Sequence, residues 1–361
     1  MKIAIVLGTR PEIIKMSPII RECEDQRLDY FIIHSGQHYS YNLDKVFFEQ
    51  LKLPNPRYKL EVGSDTHATQ TGRIMAGVEK IISKDKPDVV LVEGDTNTVL
   101  AGALASTKLH VKVGHVEAGL RSYDRRMPEE INRVLTDHCS DYLFAPTDKA
   151  KKILRYEGVP SEKIFVTGNT IVDALYQNMD IAKQNSDIME KLGLSVNEYF
   201  LVTVHRQENV DEHDRFHAIM KALELLSKRS GIPVIYPIHP RSKKMLRRLK
   251  IRYDHITLVK PLDYLSFLEL ERNAKLILTD SGGVQEEACI LRVPCVTLRD
   301  NTERPETVEA RANIIAGIAS QKVLQCVDIM LRRKRDWKNP FGDGNAGKKI
   351  MKILAKHLES Y

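Results

Sequence analysis

Residues 279–306 read TDSGGVQEEACILRVPCVTLRDNTERPE, and this stretch decides the fold. The short apolar run 274–278 in front of it predicts a buried strand. Residues 279–283, Thr-Asp-Ser-Gly-Gly, predict a turn, and 284–290 predict the helix that follows. Such a helix start offers free N–H groups and the positive end of the helix dipole, and its glycines let a ligand approach the backbone. The stretch therefore predicts a phosphate site.

A second strand, 295–298, runs directly into a charged loop that includes Arg299, Glu303 and Arg304. Glu286 and Glu287 fall in the first turns of the preceding helix, where a carboxylate can accept hydrogen bonds from sugar hydroxyls. The alternative is a helix cap followed by a loop of solvated charges. Two adjacent strand ends with such chemistry favour a binding site at the carboxyl edge of a parallel sheet.

Length and composition indicate a globular protein of two domains. The chain has 361 residues, 42% of them apolar, and no apolar run of about 20 residues that would span a membrane. It begins directly with the strand-like KIAIVLG, so we expect no secretory signal and a cytoplasmic location without a membrane partner. Five scattered cysteines predict reduced thiols.

The net charge of +7 suits an anionic small substrate. The basic stretches 243–252 and 332–335 contain no aromatic residues, which favours solvated helix faces over nucleic-acid binding. We therefore expect no nucleic-acid partner.

The first half alternates predicted strands and helices, as a doubly wound α/β domain does. We predict strands at 3–7, 30–34, 89–92, 111–116, 142–145 and 164–166, with helices at about 10–24, 70–83, 98–107 and 172–184. One glycine follows the first strand where a dinucleotide fingerprint has three, so we expect no nicotinamide cofactor. No metal-ligand spacing is present either, and His34 and His38 are better explained as turn residues.

Polar residues follow these strands at the sheet edge where ligands bind. Arg10 and Lys15 follow the first strand, Asp95 the third and Glu117 the fourth. Glu129 opens a helix, where pairing with the helix dipole is the alternative explanation.

The second half repeats the alternation, with predicted strands at 200–204, 234–237, 256–259, 276–279 and 295–298. His205 directly follows the first of them, which favours a functional role. Phe267 begins a helix where it would cover a base or contribute to the core. An amphipathic helix is predicted at 346–357.

The motifs of the chain, taken together and in order, resemble the UDP-N-acetylglucosamine 2-epimerases, specifically the non-hydrolysing branch. They cover nearly the whole chain: GTRPE at Gly8, GDT at Gly94, HVEAGLR at His115, PEE-x-NR at Pro128, GNT at Gly168, VHR-x-E-N at Val204, TDSGG-x-QEE at Thr279 and RD-x-TERPE at Arg299.

The resemblance implies a GT-B type of fold, two Rossmann-like doubly wound domains facing a central cleft. It implies an N-terminal domain of 1–170, joined by the C-terminal helix 346–361, and a UDP-binding domain of 171–345. It also implies a cytoplasmic homodimer that interconverts UDP-GlcNAc and UDP-ManNAc through 2-acetamidoglucal, without a cofactor, for polysaccharide biosynthesis.

By the family's pattern, the residues divide into three roles. The catalytic residues would be Asp95, Glu117, Glu129, His205 and Lys15. The substrate-binding residues would be Arg10, Lys15, Phe267, Ser281, Gly282, Gly283, Glu287 and Arg304. Gln37 and Gln70 match an allosteric site for a second UDP-GlcNAc, but Tyr39 follows Gln37-His38 where bacterial members often carry arginine. Which carboxylate serves which face of the sugar stays open.

Three alternatives remain at this stage. One is a hydrolysing epimerase that releases free ManNAc and UDP, another is a glycosyltransferase of the same fold, and the third is a nucleotide-sugar binding protein without catalysis. Carboxylates at both Asp95 and Glu117 argue against the third.

Overall fold

The computed structural model of the protein describes residues 1–37, 41–249 and 253–358, and the side chains of 41–43 and 249 are not described. His38, Tyr39, the end of the basic stretch 243–252 and residues 359–361 therefore lie outside the described residues. The chain forms two compact units. The first contains Met1–Asn178 and Phe341–Tyr361, and the second contains Met179–Pro340.

Strands and helices alternate along most of the chain. The strands are β1 Lys2–Leu7, β2 Asp29–His34, β3 Tyr58–Lys59, β4 Val89–Glu93, β5 Lys112–Val116, β6 Tyr142–Ala145, β7 Ile164–Val166, β8 Phe200–Thr203, β9 Val234–Pro237, β10 Ile256–Val259, β11 Leu276–Thr279, β12 Cys295–Thr297 and β13 Asn313–Ile315. The α-helices are α1 Arg10–Asp25, α2 Tyr41–Gln50, α3 His67–Asp85, α4 Asn97–Lys108, α5 Pro128–Cys139, α6 Asp148–Tyr156, α7 Thr170–Asn185, α8 Ile188–Lys191, α9 Gln207–Val210, α10 His213–Ser230, α11 Pro240–Leu249, α12 Tyr264–Asn273, α13 Gly282–Ile290, α14 Pro305–Glu309, α15 Ser320–Arg332 and α16 Ala346–Leu358.

The first unit contains a seven-stranded parallel sheet in the order β3-β2-β1-β4-β5-β6-β7. Its central strands are continuous apolar runs, and β4 is buried along its whole length, as expected when helices cover both faces of a sheet. The strand order reverses at β1, so the carboxyl ends of β1 and β4 form a topological switch point. Open α/β sheets bind their ligands at such a point.

The second unit contains a six-stranded parallel sheet in the order β10-β9-β8-β11-β12-β13. Side chains alternate between its two faces: Phe200 and Val202 belong to one buried cluster, and Leu201 and Ile277 belong to the other. Here the order reverses between β8 and β11. His205 follows β8 by two residues, and Asp280 follows β11 directly.

The final helix, α16, belongs to the first unit. The Gly347 N–H donates to Asp173 Oδ1 at 2.9 Å, and a Cβ at Gly347 would lie 3.3 Å from the backbone of Pro18 in α1. A side chain at this position would press on the backbone of Pro18, so glycine favours this close approach between α16 and α1.

The predicted alternation of strands and helices is confirmed in both halves, with one correction. Gly282 and Gly283 do not form a turn before the helix. They are its first two residues, and Ser281, with φ −87° and ψ 128°, is the N-cap. Among the described helices, none combines the length and apolar composition that a membrane crossing requires.

Candidate active site

Lys15 lies between two carboxylates at the switch point of the first sheet. Its Nζ is 2.5 Å from Glu117 Oε2 and 3.2 Å from Glu93 Oε1, and its side chain is only 15% exposed. Lys15 comes from α1, whereas Glu93 ends β4 and Glu117 follows β5. The parallel pairing of β4 with β5, Glu93 opposite Val116, brings the two acids together. The cation thus offsets part of the charge on a carboxylate pair that has lost most of its solvent.

Glu93 and a further buried acid at this sheet edge, Glu12, both have perturbed pKa values. Burial raises the pKa of Glu93 well above its usual range, Lys15 lowers it, and Glu117 and Glu12 raise it. Burial likewise raises the pKa of Glu12 to about 7, against hydrogen bonds from Thr96, Gly8 and Thr9 that lower it. Acids that hold protons near neutral pH at a sheet edge are typical of sites that transfer protons.

Glu117 has an unusual backbone. Its φ of +69° lies in the left-handed region, which residues other than glycine rarely adopt. Its carboxylate accepts a hydrogen bond from Asn169 Nδ2 at 3.1 Å in addition to the contact with Lys15. Strained residues held by their surroundings cluster at functional sites, so this geometry favours Glu117 as a reacting group.

Asp95 is held by α5. Its Oδ2 lies 2.6 Å from Arg133 Nη2, and Arg133 Nη1 also lies 2.9 Å from Glu130 Oε2. Asn132 Nδ2 donates to the Asp95 carbonyl at 2.9 Å. The Asp95 side chain remains 30% exposed, so it is accessible as well as fixed.

A buried His115–Asp137 pair supports the turn that carries Asp95. His115 Nδ1 is 2.6 Å from Asp137 Oδ1, and Nε2 is 2.8 Å from the Gly94 carbonyl. Although burial alone would raise the pKa of Asp137, His115 and Arg121 bring it below its usual range. Gly94 has φ +89°, so this turn requires glycine.

Arg10 lies at the start of α1. Its Nε is 3.4 Å from Asp44 Oδ1, and its guanidinium carbon stands 4.9 Å from the centre of the Phe47 ring.

Glu129 is exposed on α5, and its side chain makes no hydrogen bond or ion pair with the described residues. Glu129 is therefore not joined to the Lys15 cluster by a hydrogen bond or ion pair among the described residues.

Gln37 and Gln70 belong to one hydrogen-bonded network. Gln70 Nε2 donates to the Gln37 carbonyl at 2.8 Å, and Asn97 Nδ2 donates to Gln70 Oε1 at 2.8 Å. Asn132 Nδ2 in turn reaches Asn97 Oδ1 at 3.2 Å. The network thus continues to the residue that holds the Asp95 carbonyl.

In the second unit, His205 lies against Asp280. His205 Nδ1 is 3.2 Å from Asp280 Oδ1, and the Asp280 carboxylate also accepts the backbone N–H groups of His205 and Arg206. Burial would raise the pKa of Asp280, but hydrogen bonds and charge from His205 bring it below its usual range. The imidazole is 42% exposed, so its orientation is fixed while one edge stays accessible.

The start of α13 is open at its glycines. A Cβ added at Gly283 would have Ser281 Oγ as its nearest neighbour at 3.9 Å, and one at Gly282 would meet Glu303 Oε2 at 3.6 Å. Neither glycine is needed for packing or for a positive φ. Room for a ligand at the backbone is the remaining reason for them.

Charged residues surround that helix start. Arg304 Nε is 2.8 Å from Glu286 Oε1, and Arg299 binds Glu208 at 2.7 Å and Glu303 at 2.8 Å. Burial raises the pKa of Glu303, but Arg299 and Arg206 outweigh it and bring the pKa to about 2.

Glu287 is partly exposed. Phe267 is partly buried against the core of the second unit, so it contributes to packing whether or not it also covers a base.

Sequence reasoning missed four residues of this arrangement as site residues: Glu12, Glu93, Arg133 and Asp280. Glu93 and Asp280 each end or directly follow a predicted strand, which is the signal that identified Asp95 and Glu117. No periodic signal distinguishes Glu12, because its burial follows from tertiary packing. Among the described residues, no group of three or more histidine, cysteine, aspartate or glutamate side chains is arranged to hold a metal ion.

Two doubly wound parallel sheets, with acids and cations at both switch points, place the chain in the GT-B class of folds. That predicted fold class is confirmed by solved structures. Residues 21–355 match the sequence model of the family described as UDP-N-acetylglucosamine 2-epimerase. The chain therefore belongs to the UDP-N-acetylglucosamine 2-epimerase family.

Individual relatives agree with this assignment. The chain is 57% identical to the UDP-N-acetylglucosamine 2-epimerase of Methanocaldococcus jannaschii, covering 98% of this chain and 99% of that one. A crystal structure of that organism's UDP-GlcNAc 2-epimerase with UDP-GlcNAc and UDP superimposes with a TM-score of 0.88, at 56% identity, over 99% of this chain and 100% of that one. The UDP-2,3-diacetamido-2,3-dideoxy-D-glucuronate 2-epimerase of Pseudomonas aeruginosa is 41% identical, covering 99% of this chain and 100% of that one.

Proposed function

We propose that the protein interconverts UDP-N-acetylglucosamine and UDP-N-acetylmannosamine by elimination and re-addition of UDP, without hydrolysis. The observation that carries this proposal is the cluster of Lys15 with Glu93 and Glu117, beside the fixed carboxylate of Asp95. It groups acids, bases and a cation of the kinds that this reaction needs, which supports the proposal. The relatives supply the substrate class.

The chemistry requires these groups because the hydrogen on carbon 2 of the sugar is not acidic. When the bond from carbon 1 to the UDP oxygen breaks, the oxocarbenium-like centre at carbon 1 acidifies that hydrogen. A carboxylate then takes the proton, the electron pair forms the double bond from carbon 1 to carbon 2, and 2-acetamidoglucal and UDP result. Protonation of the opposite face and return of UDP to carbon 1 complete the epimerisation.

In the first unit, Asp95 and Glu117 are the proposed bases and acids at carbon 2. Lys15 stabilises the negative charge of the Glu117 carboxylate. Glu129 is kept as a residue for ring contact, since its exposed side chain leaves it available to a ligand. Arg10 is the proposed partner of the departing diphosphate, because positive charge on the leaving group stabilises the transition state.

In the second unit, the proposed roles concern the nucleotide. Ser281, Gly282 and Gly283 would give backbone N–H groups to the diphosphate, and Arg304 would contact UDP. Glu287 would accept the ribose hydroxyls and Phe267 would cover the uracil. His205, oriented by Asp280, is the proposed acid and base beside the ring.

We also propose that Gln37 and Gln70 mark a regulatory site for a second UDP-GlcNAc. Their network with Asn97 and Asn132 supports this, because it ends at the Asp95 carbonyl. Activity that depends sigmoidally on UDP-GlcNAc in the wild-type protein, and hyperbolically in Gln70→Ala, would bear out the proposal.

A second candidate substrate follows from the Pseudomonas aeruginosa relative, which is named for a diacetamido uronate sugar. Epimerisation at the same carbon would use the same groups, so only the sugar substituents distinguish the two. Incubating the protein with each nucleotide sugar separates them, since the true substrate gives the higher kcat/KM.

Product analysis on UDP-GlcNAc tests the proposed reaction. UDP-ManNAc at equilibrium with substrate is expected. Free ManNAc with UDP would indicate the hydrolysing reaction, a glycoside formed with an acceptor would indicate a glycosyltransferase, and no turnover with retained binding would indicate a binding protein.

A homodimer in the cytoplasm remains part of the proposal. Ile131 and Leu135 support the dimer: they lie one turn apart on α5 and are 43% and 47% exposed. Cys23, Cys139, Cys289, Cys295 and Cys326 are free thiols, which supports a reducing compartment. Sedimentation of wild-type protein and Leu135→Glu tests the dimer, which the variant should dissociate.

A further inference from the structure

Glu271 is a carboxyl group that the proposed reaction does not use, and it is completely buried. It lies in the last turn of α12, after Leu270 and before Ala274 in the chain. Both neighbours belong to the apolar core cluster that also contains Ala288 of α13. A carboxyl group in such a position requires a specific reason, because acidic side chains are almost never fully buried unless paired.

No hydrogen-bond donor among the described residues reaches either carboxyl oxygen of Glu271. An ionised carboxylate there would have lost its water without gaining a donor or a cation, which is far more costly than burial of the neutral acid. The geometry therefore requires that Glu271 be protonated, with its O–H available to an acceptor.

That acceptor is Glu287 of α13, whose carboxyl group lies close enough to that of Glu271 to interact with it. Two ionised carboxylates only accept hydrogen bonds, so this contact needs one proton between them. Glu271 is fully buried whereas Glu287 is partly exposed, and burial disfavours charge most on the deeper group. The proton therefore stays on Glu271, which donates to an ionised Glu287.

Two further ionisable groups interact with Glu271, Tyr199 and Cys295, and neither carries a positive charge in any protonation state. Tyr199, which directly precedes β8, donates a hydrogen bond from its hydroxyl to the Leu270 carbonyl, and Cys295 of β12 is fully buried. Burial is the main cause that raises the pKa of Tyr199, and Glu269 and Glu271 raise it further. Burial is also the main cause that raises the pKa of Cys295, and Cys289 and Glu271 raise it further. Both groups therefore stay neutral.

We propose that Glu271, as a neutral carboxylic acid, positions the Glu287 carboxylate to accept the ribose hydroxyls of a uridine nucleotide. One oxygen of Glu287 accepts a hydrogen bond from the Glu271 O–H, and the carboxylate keeps accepting capacity for the ribose. This inference rests on the proposed function, in which Glu287 is the ribose ligand. Glu271 is thus a positioning residue and does not touch the nucleotide.

Calorimetric titration with UDP and with 2′,3′-dideoxyuridine 5′-diphosphate tests the inference, because the second ligand lacks the ribose hydroxyls. We expect the wild-type protein to prefer UDP. Glu271→Leu should bind UDP about tenfold more weakly, the scale of one hydrogen bond to a charged group, and the dideoxy nucleotide unchanged. Glu271→Gln should keep most of the preference, since its amide N–H can donate to Glu287.

Glu269→Gln is the matched control, because Glu269 lies on the same helix but pairs with Arg272 and Asn273. It should keep the wild-type preference. The inference alone fails if Glu271→Leu retains the preference for UDP, or if it weakens both ligands equally. A wild-type protein that binds UDP without a preference over the dideoxy nucleotide removes the ribose role of Glu287 as well. No binding of UDP at all removes the proposed function.

Stability against pH gives a second, independent test. Burial first, and then the negative charge of Glu287, raise the pKa of Glu271 well above its usual value of 4.5. An acid whose pKa is raised in the folded state stabilises the fold fully below pH 4.5, its usual pKa. That contribution is lost as the pH rises through the folded-state pKa. The melting temperature of the wild type should therefore fall relative to Glu271→Gln between pH 5 and pH 9. A constant difference across that range would overturn the neutral state of Glu271.

Discussion

The carboxylate of Asp280 fixes both the side chain and the backbone of His205. Oδ1 lies 3.2 Å from His205 Nδ1, and Oδ2 accepts the His205 N–H at 3.0 Å. The two residues follow the neighbouring parallel strands β8 and β11, so the pairing is a direct consequence of the sheet. Because the Asp280 carboxylate accepts a hydrogen bond from the Nδ1–H of His205, Nε2 is left without a proton. Nε2 can then accept a proton from the substrate, as a general base does.

Replacing Asp280 with asparagine should lower turnover by roughly two orders of magnitude, because the amide no longer stabilises a protonated imidazole. Affinity for UDP should change little. Steady-state kinetics on UDP-GlcNAc with calorimetry on UDP makes the comparison, and a variant that turns over near the wild-type rate contradicts the role.

Glu117→Gln should reduce turnover by roughly two orders of magnitude or more, the scale of a lost acid or base, while UDP binding survives. Asp95→Asn should act in the same way. Glu49→Gln is the control, since Glu49 is an exposed carboxylate that pairs with Lys45 on the surface. Equal rates for Glu117→Gln and the control would remove Glu117 from the chemistry.

Glu12 gives a pH-dependent prediction. Because burial raises its pKa to about 7, the acid stabilises the fold below about pH 4.5 and loses that contribution as the pH rises through 7. The wild type should lose on the order of 3 kcal/mol relative to Glu12→Gln by pH 8. Urea unfolding at pH 5 and pH 8 measures the free energy of unfolding of both proteins. The same difference between the two proteins at both pH values would contradict a neutral Glu12.

Gly283→Ala separates folding from binding. Alanine should stabilise α13 by about 0.5–1 kcal/mol, since the new Cβ meets no atom closer than 3.9 Å. It should weaken UDP binding if the diphosphate approaches this backbone. Gly72→Ala in α3 is the matched control, because a Cβ there has nothing within 4 Å. Equal UDP affinity in both variants would contradict the phosphate site.

The sequence predicted most of the strands because their apolar runs are buried on both faces. The exceptions are short: β3 has two residues, and β13 has three, of which only Ile314 and Ile315 are apolar. Candidate residues at strand ends, such as Asp95, Glu117 and His205, were predictable because parallel strands collect their carboxyl ends at one edge.

What the sequence did not reveal depends on tertiary contacts. Glu12 and Glu271 are on helices, and their burial comes from neighbouring elements rather than from any local pattern. The helical state of Gly282 and Gly283 was missed for a similar reason: glycine favours turns locally, and packing of α13 overrides that preference. The partner of Asp95, Arg133, lies 38 residues away in the chain.

The reaction in heavy water tests the elimination mechanism most directly. A proton removed from carbon 2 by a carboxylate exchanges with solvent before it is returned. The account predicts deuterium at carbon 2 of UDP-ManNAc, with slow release of 2-acetamidoglucal and UDP. Product that keeps its original carbon-2 hydrogen and takes up no deuterium would contradict elimination and indicate internal hydride return.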